Sequence, residues 1–215
     1  TEYGEALRAF IREYLPAHPR TYDYRDYEPE IAIIRFPDSD WGQASCYYWK
    51  TLYGAENLPP TQETGEWMQV FNLLTAGKVD SRAVNGNSAV YPRYKSPAMI
   101  PIAPTAVYDH LVGPDLLRSV STIFLCGITI SERTMAAVRE RVNQGAVCFS
   151  SVRLCPADVR ERAQLLPARV VEGQGSWILV SGFRLDDLGE HASRMPPSGR
   201  SMRLKFKGQV VELTD

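Results

Sequence analysis

The polar loop at residues 38–43 (DSDWGQ) carries the side chains best suited to bind a ligand. It directly follows an apolar run typical of a strand, and it contains Asp38, Asp40, Trp41 and Gln43. Ligands of open α/β sheets bind beyond the carboxyl ends of the strands. These four side chains predict a site for a sugar or another polar ligand. Asp38 or Asp40 would act as base or hydrogen-bond acceptor, Trp41 as stacking platform and Gln43 as orienting group.

A structural role for the same loop is the alternative. Asp38 and Asp40 would then cap backbone amides, as aspartates in turns do, and Trp41 would pack locally. The residue types alone favour this second interpretation.

The four cysteines do not form a catalytic or metal-binding pattern. Cys126 and Cys148 lie within apolar runs and are predicted to be small core residues, and no pair among them and Cys46 and Cys155 has CxxC or metal-ligand spacing. A buried thiol without a nearby cation has a raised pKa and is unreactive. Reduced thiols are the default of a cytoplasmic protein, which is the predicted location.

A hydrolase triad is a weaker hypothesis. Ser150 and Ser151 end a predicted strand, and Asp109 with His110 or His191 would complete the set, but no GxSxG motif frames either serine. The three histidines are scattered and lack metal-ligand spacing. The sequence therefore predicts no catalytic residue, no metal and no cofactor.

Composition excludes two classes of partner. The chain of 215 residues has 44% hydrophobic and 23% charged residues and a net charge of −1. These values are ordinary for a globular protein and argue against nucleic acid or an anionic membrane as partner.

No apolar run approaches the roughly 20 residues of a membrane span. The chain does not begin with Met, and we expect it to be part of a longer protein.

Residues 121–151 predict the fold class. The apolar run 122–126 is typical of a central parallel strand, Ser131 is a fair helix N-cap, and Met135, Val138 and Val142 form one apolar stripe. Gly145 suits the left-handed position after the helix, and residues 146–149 form a second buried strand. This order predicts a right-handed parallel unit.

The other elements complete a predicted α/β fold: a flavodoxin-like, mostly parallel sheet with flanking helices and C-terminal antiparallel strands. We expect an N-terminal helix and connector at 1–29, the α/β domain at 30–182, and a loop with a β-hairpin extension at 183–215. Within these the sequence predicts a strand at 30–36, helices at 5–14, 64–76, 113–118 and 157–166, a surface loop at 184–200, and hairpins pairing 169–172 with 176–181 and 203–206 with 209–213.

The chain resembles the class I glutamine amidotransferase-like domain that follows the catalytic barrel of β-galactosidase-type glycoside hydrolases. Three segments carry the resemblance: EIAIIRF, LLRSVSTIFLCGITISERTMAAVRERVNQGAVCFSS and RVVEGQGSWILVSGF, over about residues 30–182. The resemblance implies a domain without amidotransferase chemistry that helps subunits assemble or shapes a neighbouring active site. Neither Cys126 nor Cys148 has the flanking glycines of a nucleophile elbow.

The expected function is that of a non-catalytic accessory domain of a larger carbohydrate-active enzyme. Its expected partners are the rest of the parent chain, a second copy and a carbohydrate. The aromatics that would suit such an interface are Tyr22, Tyr24, Tyr27, Tyr47, Tyr48 and Trp49. The alternative is a free-standing hydrolase or small-ligand binder that uses the loop after the first strand.

Overall fold

The computed structural model describes residues 2–19, 23–35, 66, 69–70, 73–74, 103–109, 111–127, 129–196 and 201–214. Eight strands lie in this part of the chain: β1 Ile31–Arg35, β2 Thr105–Tyr108, β3 Thr122–Cys126, β4 Val147–Ser151, β5 Ala168–Glu172, β6 Gly175–Val180, β7 Ser201–Phe206 and β8 Gln209–Thr214. The first six form one sheet in the order β2-β1-β3-β4-β6-β5, and β7 pairs with β8. All pairs in the large sheet are parallel except β5 with β6.

Helices connect and flank these strands. The α-helices are α1 Glu2–Ala9, α2 Leu15–Ala17, α3 Pro114–Leu117, α4 Glu132–Asn143, α5 Ala157–Glu161 and α6 Leu185–Leu188. A π-helical turn at Phe10–Tyr14 joins α1 to α2, and 3₁₀ turns lie at Tyr24–Asp26 and Gly189–Arg194. The described residues between 66 and 74 are helical, as predicted. The predicted α/β fold is thereby confirmed.

The unit β3-α4-β4 forms as its sequence indicates. The Ser131 hydroxyl accepts a hydrogen bond from the backbone N–H of Thr134 at 3.1 Å, so the predicted N-cap is real. Gly145 ends the helix with a φ of 117°, which favours glycine. β3 and β4 run parallel, with Thr122 opposite Val147.

The sheet is buried on both faces. The first face packs against α4 and α5 through side chains that include Leu125, Cys148 and Leu179. The second face packs through Phe124 and Phe149, whose rings stack at 5.0 Å between centroids, and it is covered by Val70 and Leu74. Because successive residues of a strand point to opposite faces, this double cover explains why the central strands are continuously apolar.

A charged network anchors α4 and α5 to the antiparallel edge of the sheet. The Glu172 carboxylate accepts hydrogen bonds from the indole of buried Trp177 at 2.9 Å and from Arg139 at 3.0 Å. Arg162 approaches the same carboxylate, and Arg139 also binds Asp158 at 2.7 Å. The Asp158 pKa lies below its ordinary value, chiefly because of its hydrogen bond with Arg139. One carboxylate thus joins three elements.

The β7-β8 hairpin is attached to the segment before β1. Tyr27 bridges Phe206, and their rings stack at 5.1 Å. Lys207 donates to the Asp26 carboxylate at 2.9 Å, and the backbone N–H of Glu28 bonds the Lys205 carbonyl. A two-stranded hairpin is marginal alone, so these contacts give it support.

Three sequence expectations outside the central unit are wrong in extent. The N-terminal helical segment runs from 2 to 17 instead of 5 to 14, and so includes the start of the expected connector. The helix predicted at 157–166 ends at Glu161, before Pro167. The expected surface loop at 184–200 contains α6 and a 3₁₀ turn, because Leu188 and His191 are buried against the core.

Glu172→Ala should lower the free energy of unfolding by roughly 2–3 kcal/mol, because it leaves the Trp177 N–H unpaired and removes the shared partner of two arginines. The Glu172 side chain is only 12% exposed. The matched control is Glu212→Ala, which removes an ion pair with Arg203 from a side chain that is 57% exposed. The control substitution should lower the free energy of unfolding by less than about 0.5 kcal/mol. Urea unfolding of both variants measures the difference, and equal costs would contradict the proposed role of Glu172.

Candidate functional site

The switch point of the sheet lies between β1 and β3. β2 lies on one side of β1 and β3 on the other, so the strand order changes direction there. Such a switch point is where open α/β sheets bind ligands. Arg35 ends β1 opposite Cys126, which ends β3, and both lie at this switch point.

The predicted binding loop follows β1 in the chain. Asp38, Asp40, Trp41 and Gln43 themselves lie outside the described residues. Their assignment as ligand-binding residues therefore stays a prediction.

An ion pair with a buried carboxylate lies at the same edge of the sheet. One guanidinium nitrogen of Arg153, which follows β4, donates to both carboxylate oxygens of Glu66 at 3.1 and 3.0 Å. The Glu66 side chain is 2% exposed. The Arg153 side chain is 36% exposed, so the guanidinium reaches solvent while its carboxylate partner does not. No feature of the local pattern around residue 66 indicates a buried carboxylate.

The two serines at the end of β4 differ in their hydrogen bonding. The Ser150 hydroxyl lies on the first face and donates to the Ser151 carbonyl at 2.9 Å. The Ser151 hydroxyl lies on the second face, where within the described residues it is buried and has no hydrogen-bond partner. Because buried polar groups nearly always have a partner, this hydroxyl is an exception among the described residues.

The geometry does not support the serine triad. Neither hydroxyl bonds a histidine within the described residues, and His191 is buried in the 3₁₀ turn after α6. Asp109 follows β2, which is three strand spacings from β4, or about 14 Å. His110 lies outside the described residues.

The thiols are core residues, as predicted. Cys126 and Cys148 are fully buried on opposite faces of the sheet. Burial raises the pKa of the Cys126 thiol well above its ordinary value, and the Glu66 carboxylate raises it further, while Arg35 opposes them. Burial likewise raises the pKa of the Cys148 thiol well above its ordinary value and, to a smaller extent, that of Cys155. As a consequence these thiols are poor nucleophiles.

A second candidate surface is the apolar face of the N-terminal helical segment. Residues 2–17 include no buried residue. The exposed apolar side chains on this segment are Tyr3, Leu7, Phe10, Ile11, Tyr14 and Leu15. We call these six side chains the N-terminal apolar face.

The expected tyrosine interface is different in the structure. Tyr27 is half-buried against Phe206, and its hydroxyl donates to the Thr105 carbonyl at 3.3 Å. Burial, the largest cause, raises the pKa of Tyr27 to about 12. Tyr27 therefore supports the hairpin and does not offer an exposed contact. The side chain of Tyr24, together with Tyr22, Tyr47, Tyr48 and Trp49, lies outside what the structure describes.

Comparison with known proteins finds no match: no protein-family model, no curated protein and no solved structure matches the chain. In the described part of the chain, no helix has the length and apolar character needed to cross a membrane. Over the same residues, no three His, Cys, Asp or Glu side chains lie close enough together to hold a metal ion.

Iodoacetamide at mildly alkaline pH should leave Cys126, Cys148 and Cys155 unmodified in the native protein, because the reactive thiolate is suppressed by burial. All three should react once denaturant exposes them. Peptide mass spectrometry of native and unfolded samples measures the modification. Rapid labelling of native Cys126 would contradict its assignment to the core.

Proposed function

We propose that this chain is a non-catalytic accessory domain of a larger carbohydrate-active enzyme and that it works through contacts with other domains or subunits. The observation that carries the proposal is the N-terminal apolar face. A helix of this length is marginal in water unless tertiary packing stabilises it. Its six large apolar side chains are exposed in the single chain, so a partner surface is what would bury them.

The state of the thiols and serines is consistent with this role. The thiols of β3 and β4 are buried with raised pKa values, and the Ser150 hydroxyl is engaged with backbone. These groups serve packing. The carbohydrate-active parent is supported by the resemblance of the three sequence segments described above.

Hydrogen exchange tests the accessory role. In dilute isolated chain the amides of residues 3–17 should exchange rapidly, because no side chain of the segment is buried. In the complete polypeptide encoded by the same reading frame they should be protected, and a barrel-sized catalytic domain should precede Thr1. Equal exchange in both proteins would contradict the contact, and a reading frame without a barrel would contradict the carbohydrate-active parent.

A second candidate function is binding of a small polar ligand, such as a sugar, at the carboxyl edge. The observation that favours it is the unpaired Ser151 hydroxyl, near the end of β4 that leads to the Glu66–Arg153 pair. A ligand hydroxyl could satisfy this group, and the Asp38–Gln43 loop follows β1, which β3 separates from β4 in the sheet. Under this candidate Asp38 or Asp40 accepts a ligand hydrogen bond.

Titration with galactose and lactose, followed by NMR shifts, tests the second candidate. Ser151→Ala and Asp40→Asn should each weaken binding by about tenfold, the cost of one lost hydrogen bond to a polar ligand. Ser150→Ala is the matched control, because its hydroxyl lies on the opposite face of β4 and bonds backbone. If the unsubstituted chain binds neither sugar, or if all three variants lose the same affinity, this second function is wrong.

A further inference from the structure

We draw no further inference here: the strongest candidate, the N-terminal apolar face on the helical segment of residues 2–17, carries nothing beyond the proposed contact, because nothing in the structure shows what covers it.

Discussion

Burial of the large sheet on both faces is the constraint on which the rest of the structure depends. β1, β3 and β6 contain side chains that are almost all inaccessible to water, so two layers of helix and irregular structure must cover them. Because both faces of the sheet are covered, polar chemistry is confined to the ends of the strands. That is why Glu66, Arg153 and Ser151 lie at the carboxyl edge.

The same constraint gives the cysteines and Glu172 their roles. A thiol in the middle of a covered sheet contributes packing, because burial disfavours its thiolate. At the antiparallel edge the sheet meets solvent, and there the Glu172 carboxylate links Trp177 to arginines of α4 and of the segment after α5. Ion pairs at this edge therefore help to hold α4 and α5 on the sheet, because the apolar stripes of these helices are short.

The N-terminal segment stands outside this constraint. Its amphipathic pattern is as clear as that of α4, yet α4 buries Val138 and Val142 while residues 2–17 bury nothing. An amphipathic pattern states only that a helix has a face to bury. The identity of the surface that covers it depends on contacts between distant parts of one chain or between chains. The proposal for an accessory role starts from this difference.

The sequence by itself determined the covered parallel sheet, since runs such as TIFLC have no polar alternation and Ser131 and Gly145 mark the helix between two strands. It also determined both hairpins, through Gly173 and Gly208 at their turns, and the core position of the thiols. Only the tertiary structure decided the Glu66–Arg153 pair, the unpaired Ser151 hydroxyl and the burial of His191. These depend on residues far apart in the chain, such as 66 and 153. Local propensity and periodicity report on neighbours within a few positions, so they do not encode which distant charges meet.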